Sequence, residues 1–409
     1  QLYGDGSNLT GISAGGFSAD ADLNLFASNT CSGCNLDGSS GCHNLFLGYY
    51  AGKAVTSGAH NVLLACGAGK AITSGDGAVY IGRNAGAANV DGNYSIIIGQ
   101  SAGFTGTAIC DNIIIGREAG RSGSFANAKY NVIMGMQAGC DVTSGCYNTL
   151  LGHCAAPNLT SANDNVIIGR GAGQSGAITG QTNVFVGKYA GDNATSAEYN
   201  VAIGEYALGC GVLVGGGNVA LGQRAGFKLT DGDQNVNIGR YTGYYNTTGC
   251  FNVNIGQYAG YCNTTQSYSV HIGSRAGCDR TTGGDNIAIG RQALQGTPAS
   301  ATGDKNVAIG MLAGECVSTG YQNVLIGCGT GRIATTATAN TMVGPLVGCR
   351  HTTGSYNTFV GYYAGQGASS SGGTGHNNIA MGCKALSEKL TSGCFNIAIG
   401  SAAGLCMST

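Results

Sequence analysis

Tryptophan is absent from the 409 residues, proline occurs three times, and charged residues make up only 10% of the chain. Glycine supplies 75 residues, yet the scarcity of proline and the lack of a Gly-X-Y period exclude a collagen triple helix and proline-rich linkers. A hydrophobic content of 43% argues against a long disordered chain. The composition therefore favours a folded, glycine-rich chain of unusually low charge.

A strong net charge is also missing, because the formal charge at pH 7 is −1. Such a chain has little electrostatic attraction for DNA, RNA or an anionic membrane surface, so we expect no nucleic-acid partner. No apolar run approaches the roughly 18 residues of a membrane-spanning helix, so we expect no membrane insertion. The chain begins at Gln1 without a charged and apolar leader, which predicts a processed form or a fragment.

One unit recurs from Asn24 to the end of the chain. It reads asparagine, an apolar residue, a small or apolar residue, an aliphatic residue and glycine, followed after two variable positions by Ala-Gly and a polar turn. With the asparagine as position 0 there are 22 copies, in which Ala78, Ser95 and Ser269 replace asparagine. Fourteen of the 21 intervals are 17 residues long and the others are 18 to 21. Insertions such as 367–375 fall in the polar turn, where a solenoid accepts extra residues.

A 17-residue unit is too short for the helix pairs of most helical repeat proteins, whereas its core, rich in valine and isoleucine, fits one short strand. We therefore predict an all-β fold, a parallel β-solenoid of about 22 repeats over residues 24–409, preceded by a short module over residues 1–23. Strands about 4.8 Å apart would make a rod of roughly 100 Å. The asparagines at position 0 are expected to stack as a ladder of side-chain amides, or else each to start its own turn.

The two-residue alternation of a strand places positions 1 and 3 on one face, and we predict that residues such as Val201 and Ile203 fill the interior. Position 2 would then point outward, although it is polar only at Asn237, Asn254 and His271. Soluble monomers rarely expose a long apolar stripe, so we predict that this column packs against sister chains in a homotrimer. The alternative is a flattened solenoid that buries position 2. The predicted interface comprises Ile97, Ile114, Ile133, Leu150, Ile167, Phe185, Leu325, Met342 and Phe359.

The 18 cysteines show no paired zinc-ligand spacing, so no metal site is predicted. Most of them lie in the polar turns, where neighbouring turns come within disulfide reach. The best candidate pairs are Cys262 with Cys278, on neighbouring copies, and Cys140 with Cys146, across one turn. Small buried thiols in a reducing compartment are the alternative.

Six Asn-X-Ser/Thr sequons are candidate glycosylation sites if the host glycosylates exported proteins. They begin at Asn8, Asn93, Asn158, Asn193, Asn246 and Asn263.

No catalytic residues are predicted, because the six histidines fall at different repeat positions without a recurring acid or nucleophile. Cofactor binding is not predicted either, since the glycine run at 215–217 lacks a following Gly-Lys-Ser/Thr. Positions 5 and 6 carry a band of tyrosine and arginine, such as Arg240 and Tyr241, which suits either a glycan- or receptor-contacting face or a solvated one. A threonine column at position 12, with Thr247 and Thr264, invites comparison with ice-binding solenoids.

The Asn-Val-Ala-Ile-Gly…Ala-Gly unit, as at Asn200 and Asn306, resembles the head repeats of trimeric autotransporter adhesins and, still more, related repeats of phage and bacterial tail-fibre proteins. The opening Tyr-Gly-Asp-Gly-Ser-Asn-Leu-Thr-Gly-Ile over residues 3–12 is similar to a short module of viral and phage fibre proteins. The resemblance covers nearly the whole chain and implies a trimeric fibre outside the cell or on a virion. The unit is longer than that of adhesin heads, and no anchor barrel or coiled-coil stalk is visible.

These observations favour a structural and adhesive fibre protein, a solenoid shaft from a virion tail or a microbial surface appendage, over an enzyme. The first alternative is a subunit of a glycosylated helical filament outside the cell. The second is a solenoid that binds ice or carbohydrate. The expected partners are copies of the same chain, together with a cell-surface glycan or receptor.

Overall fold

The computed structural model describes residues 17–19, 22–27, 32–36, 41–296, 301–367, 372–387 and 392–405. It divides into two compact units, Gln1–Asn183 and Val184–Thr409. Most of the N-terminal module predicted over residues 1–23 lies outside the described residues.

Every strand of the described chain is three residues long. The first unit contains β1 (Phe17–Ala19), β2 (Leu25–Ala27), β3 (Leu45–Leu47), β4 (Val62–Leu64), β5 (Val79–Ile81), β6 (Ile96–Ile98), β7 (Ile113–Ile115), β8 (Val132–Met134), β9 (Thr149–Leu151) and β10 (Val166–Ile168). The second contains β11 (Val184–Val186), β12 (Val201–Ile203), β13 (Val219–Leu221), β14 (Val236–Ile238), β15 (Val253–Ile255), β16 (Val270–Ile272), β17 (Ile287–Ile289), β18 (Val307–Ile309), β19 (Val324–Ile326), β20 (Thr341–Val343), β21 (Thr358–Val360), β22 (Ile379–Met381) and β23 (Ile397–Ile399).

Within each unit, consecutive strands pair in parallel and in register, so that Val62 lies opposite Val79 and Val253 opposite Val270. The exception among the described strands is β1, which is antiparallel to β2. The described residues contain no helix, and the predicted all-β parallel solenoid is confirmed, with about 21 turns. Each turn of the solenoid, one repeat long, is called a rung below.

Strand length follows from the residues on either side of the valine and isoleucine run. From β3 onward a glycine at position 4 ends the strand, as at Gly187, which has φ +136°, except after β4, where Ala65 has φ 97°. A Cβ at Gly187 would lie 2.7 Å from the carbonyl oxygen of Gly204 on the next rung, so any side chain here would push the rungs apart. Non-glycine residues at two corners also adopt left-handed backbone conformations, for example Tyr147 at φ 58° and Tyr206 at φ 57°. Such conformations cost L-residues about 1–2 kcal/mol each, and the stacked rungs must hold them.

The prediction of which strand face is buried is wrong. In β3–β23 position 2 is the buried residue of each strand, whereas positions 1 and 3 point outward, so Ile203 is 42% exposed while its neighbour Ala202 is 0% exposed. The cause lies in the asparagine at position 0, which is itself buried and shares a strand face with position 2. All nine side chains predicted to form an oligomer interface are 0% exposed inside the single chain: Ile97, Ile114, Ile133, Leu150, Ile167, Phe185, Leu325, Met342 and Phe359. The flattened solenoid given above as the alternative is therefore the observed arrangement.

The core of each rung is narrow and consists of few side chains. In one rung Leu63 at position 2, Ala68 at position 7 and Ile72 at position 11 are all completely buried. Alanine at position 7 and the glycine after it allow the two sides of the rung to approach closely, since a Cβ at Gly69 would lie 2.9 Å from Ile72 Cδ1. The core therefore runs along the inside of each unit as stacked columns of similar side chains.

The asparagines at position 0 form the predicted ladder. Asn148 donates through both its backbone N–H and its side-chain Nδ2 to Oδ1 of Asn131, at 2.9 and 3.0 Å, and Nδ2 also donates to the carbonyl of Ala162 at 2.8 Å. Ser269 substitutes for asparagine by donating its N–H to Asn252 Oδ1 and accepting the N–H of Asn286. Each asparagine thus satisfies a buried backbone donor and a buried carbonyl that the strand leaves unpaired.

Candidate functional surfaces

The outward strand face is formed by positions 1 and 3 of β3–β10 in the first unit and of β11–β23 in the second. Every residue at these positions is valine, leucine, isoleucine or methionine, except for Thr149, Thr341 and Thr358. Their side chains are half-buried or exposed, with Met134 at 40% and Ile309 at 37%. The solvated face of a sheet usually carries polar residues, whereas this face is apolar. It therefore has the composition of a covered surface.

A discontinuous row of aromatic rings borders the outward strand face, at those rungs in which the residue before position 0 is tyrosine or phenylalanine. Tyr199, Tyr268 and Tyr356 are 61–64% exposed in this row, and Tyr130 stacks on Tyr147 with ring centroids 5.1 Å apart. Tyrosine is enriched in protein interfaces, because it combines a large apolar ring with a polar hydroxyl.

A second surface lies in the band at positions 5, 6, 9 and 10 and belongs to the second unit. Its rings stack from rung to rung, with centroids 4.9 Å apart for Phe227 and Tyr244, 5.2 Å for Tyr244 and Tyr261, and 5.3 Å for Tyr241 and Tyr258. Partial burial raises the pKa of Tyr244 and Tyr261. We call this surface the aromatic–cation patch, comprising Tyr206, Arg224, Phe227, Lys228, Arg240, Tyr241, Tyr244, Tyr245, Tyr258 and Tyr261.

Three cations of the aromatic–cation patch lie against ring faces. The Arg224 guanidinium carbon is 5.7, 5.5 and 5.7 Å from the ring centroids of Tyr206, Phe227 and Tyr241. Arg240 lies 4.9 Å from the Tyr241 ring, and Lys228 Nζ lies 4.4 Å from the Tyr245 ring. Within the described residues, none of these three cations forms a salt bridge with a carboxylate. The nearest acid in the band, Glu205, is paired with Lys188 at 2.7 Å, which lowers the pKa of Glu205.

The candidate disulfide cysteines Cys140, Cys146, Cys262 and Cys278 are all free thiols. Cys262 and Cys278 do lie on neighbouring rungs, as predicted, because the N–H of Cys262 donates to the carbonyl of Cys278 at 2.7 Å. Burial raises the pKa of both thiols, which makes them poor nucleophiles for disulfide exchange. The predicted pairs are therefore not bonded in the structure.

Cysteines two residues before the asparagine have a different role, that of hydrogen-bond acceptor. The sulfur of Cys250 accepts the N–H of Asp233 at 3.3 Å, and the sulfur of Cys146 accepts the N–H of Lys129 at 3.4 Å. Asp76 does the same with a carboxylate oxygen, accepting the N–H of Ala59 at 2.7 Å. Sequence reasoning missed this second ladder, although the mixture of Asp, Asn, Ser and Cys at one position signals a shared acceptor.

The sequons differ in accessibility. Asn246 and Asn263 are fully buried, so their prediction as glycosylation sites is wrong for the folded chain. Asn93, Asn158 and Asn193 are partly exposed, and each engages its side-chain amide with the neighbouring rung. Asn8 lies outside the described residues.

The threonine column at position 12 forms hydrogen bonds along the solenoid. The hydroxyl of Thr247 donates to the carbonyl of Thr264 at 3.1 Å, and that of Thr264 donates to the carbonyl of Thr281 at 3.0 Å. These hydroxyl protons are committed to the backbone, which weakens the comparison with an ice-binding array.

The core becomes polar in three consecutive rungs of the second unit, those of β14, β15 and β16. Asn254 donates to Asn237 Oδ1 at 2.9 Å, and Nδ1 of His271 lies 2.8 Å from Asn254 Oδ1. Burial, followed by the charge of Arg280, lowers the pKa of His271 to about 3, so the ring is neutral. Arg280 is itself buried, which lowers its pKa to about 10, and its guanidinium donates to the carbonyls of Val317 and Gly303. The sequence signal for this polar core was an arginine at position 11, where other rungs have Val317 or Ile72.

Among the described residues, no group of three or more histidine, cysteine, aspartate or glutamate side chains is placed to hold a metal ion. The described residues contain no helix that could span a membrane. No protein-family model matches the chain, and no curated protein matches its sequence.

Proposed function

We propose that this chain is a structural shaft protein of a fibre, on a virion or a microbial surface, in which three parallel copies pack through their outward strand faces. The observation that carries the proposal is the composition of that face, whose outward positions carry valine, leucine, isoleucine, methionine or threonine through 21 strands. The resemblance of the repeat to trimeric adhesin heads and tail-fibre repeats favours three copies.

The size of the outward strand face suits such an assembly. With strands about 4.8 Å apart and about 3.3 Å per residue, the second unit and its bordering row of aromatic rings present roughly 900 Å². In a trimer this area is divided between two neighbours, about 450 Å² each, whereas a stable, specific interface buries about 800 Å² per partner, so the assembly also requires the outward strand face of the first unit. A face of this size and composition, left in water, would be an aggregation site rather than a neutral surface.

The interior supports a mechanical role. Within each unit, consecutive described rungs are joined by backbone hydrogen bonds, and most of them also by the asparagine ladder or by threonine hydroxyls. Because the ties repeat at each rung, tension or bending is shared among many equivalent bonds instead of one weak joint. An attachment role at the cell surface or virion, with a glycan or receptor as partner, extends this proposal.

The test is the assembly state of the full-length chain. We expect sedimentation velocity to give a trimer for the wild type, and electron microscopy to show thin, straight particles. The double variant Ile203→Lys/Ile309→Lys places two charges in the outward strand face and should sediment as a monomer with an unchanged β circular-dichroism spectrum.

The matched control is Thr248→Lys/Ser274→Lys, which adds the same charge at exposed positions outside the face and should remain trimeric. If the lysine variant fails to fold, Ile203→Thr/Ile309→Thr replaces it, because threonine occurs naturally on this face, at position 1 of three strands. A wild-type chain that is monomeric and soluble at micromolar concentration would refute the assembly.

A further inference from the structure

The aromatic–cation patch contains three cations that the fold holds in place without a carboxylate of their own, because Glu205 is hydrogen-bonded to Lys188, which lowers the pKa of Glu205, as the charge of Arg224 also does. Arg224 lies between the rings of Tyr206 and Tyr241, and Arg240 and Lys228 each lie over a tyrosine. These contacts fix the cations at adjacent rungs, since Arg224 and Lys228 belong to the rung after β13 and Arg240 to the rung after β14. Pre-positioned side chains lose little conformational entropy when a ligand binds.

The rings in the patch present their edges, not their faces. The rings of Tyr241 and Tyr258 are nearly parallel, with an interplanar angle of 2°. Phe227 stacks on Tyr244 at 21°, and Tyr244 stacks on Tyr261 at 28°. In these stacked pairs each ring covers one face of its partner, whereas Tyr245 stands edge-on to Tyr244 and Tyr261 at 67° and 88°, and all of these tyrosines are half-exposed. The patch thus offers a row of hydroxyl donors and acceptors beside three unpaired cations.

We propose that the aromatic–cation patch binds an acidic polysaccharide, one that bears sulfate or carboxylate groups, lying along the solenoid axis. This inference rests on the proposed attachment function and names its ligand class. Guanidinium and ammonium groups pair with sulfate or carboxylate oxygens, and tyrosine hydroxyls pair with sugar hydroxyls. The repeat length of a polysaccharide chain is about the width of one sugar ring. This length is close to the spacing of about 4.8 Å between rungs.

Two other anionic polymers fit less well. Single-stranded nucleic acid gains affinity by stacking its bases on exposed aromatic faces, and here the stacked rings face one another while Lys228 lies over the ring of Tyr245. An extended acidic peptide repeats its side chains on one face every two residues, about 6.6 Å, which does not match the rung spacing.

The experiment measures binding of the full-length chain to immobilised dextran sulfate, with unsulfated dextran of the same length as reference. We expect binding to dextran sulfate alone, weakening as salt is raised. Arg224→Gln/Arg240→Gln should reduce the affinity by at least about tenfold, because a hydrogen bond to a charged group contributes about 1.5–3 kcal/mol. The matched control Arg83→Gln/Arg291→Gln removes the same charge at arginines outside the patch and should bind as the wild type does.

Three results would overturn the inference: equal affinity in the wild type and in Arg224→Gln/Arg240→Gln, an equal loss in the control, or equally tight binding of a single-stranded oligonucleotide. Sedimentation of the same samples separates this inference from the proposed fibre. A wild-type trimer that does not bind dextran sulfate refutes the ligand site alone, whereas a wild-type monomer that binds dextran sulfate refutes the fibre alone.

Discussion

Oδ1 of Asn235 accepts two hydrogen bonds from Asn252 on the following rung, one from the backbone N–H at 3.1 Å and one from the side-chain Nδ2 at 3.0 Å. The same Nδ2 donates to the carbonyl of Gln266 at 2.6 Å, and both asparagines are completely buried. One side chain thus connects three rungs.

Asn252→Ala should therefore lower the free energy of unfolding. The substitution leaves the carbonyl of Gln266 without its donor and the N–H of Ser269 without its acceptor, and each buried unpaired group costs about 1–3 kcal/mol. Asn252→Ser should cost less, because serine fills this position at Ser95 and Ser269. Denaturant midpoints of the three proteins are the measurement, and an alanine variant as stable as wild type would contradict the role of the ladder.

Adjacent residues of one strand should respond in opposite ways to charge. Ile167 is buried and Ile168 points outward, so Ile167→Lys places an unpaired charge in the core, whereas Ile168→Lys places it at the surface. We expect Ile167→Lys to lose cooperative unfolding and to be cleaved rapidly by protease. Ile168→Lys should keep the wild-type β spectrum and change only the assembly state. The reverse order of effects would support the arrangement predicted from the sequence, in which positions 1 and 3 are buried and position 2 points outward.

Stability should fall with acidification below neutral pH. Burial lowers the pKa of His271 to about 3 and that of His351 to about 4, so both rings stay neutral in the folded chain. In the unfolded chain each takes up a proton near pH 6.5, so from there down to the folded pKa every pH unit costs up to about 1.4 kcal/mol per histidine. The stability contributed by the neutral rings is complete above about pH 6.5.

The measurement is the denaturant midpoint as a function of pH. His271→Asn, which repeats the residue found at Asn254 on the preceding rung, should flatten the dependence. His153→Asn, at an exposed position, should leave it unchanged. An unchanged slope in His271→Asn would show that this histidine is not the proton-linked group.

The four candidate disulfide cysteines should be reactive thiols once the chain is unfolded. Alkylation in denaturant without reductant, followed by peptide mass spectrometry, is expected to modify Cys140, Cys146, Cys262 and Cys278. Recovery of a Cys262–Cys278 peptide in the unreduced sample would reverse the assignment of free thiols.

Cys250→Ser should leave the free energy of unfolding nearly unchanged, because a hydroxyl oxygen also accepts the N–H of Asp233. Cys250→Val should lower it by about 1 kcal/mol.

The repeat length, the parallel stacking and the asparagine ladder are predictable from the sequence, because they depend on spacing and on the hydrogen-bonding needs of one recurring residue. The direction of the strand faces was predicted wrongly because both faces are apolar, so hydrophobicity alone does not tell Ile97 from Ile98. The decisive signal was available, since a buried Asn112 shares its strand face with Ile114, not with Ile113.

Variation in size was a second signal for the face. Position 2 ranges from Ala202 to Phe185 and Tyr80, as expected where each side chain must fill a particular space between neighbouring rungs. The aromatic–cation patch was visible only as a band of tyrosine and arginine, because ring stacking and the absence of paired acids depend on which rungs are adjacent. Lys188 and Glu205, for example, are 17 residues apart in the sequence but form an ion pair because they lie on adjacent rungs.

Because neighbouring rungs meet through the same positions, a whole repeat is an interchangeable segment of the chain. Excising residues 236–252, one unit of 17, would join Asn235 to Val253 and leave the asparagine, position 2 and glycine columns aligned across the junction. A deletion that removes only part of a strand or core segment would shift those columns out of line. Duplication and loss of complete units thus offer such a gene a simple way to alter its product's reach while keeping its cross-section the same.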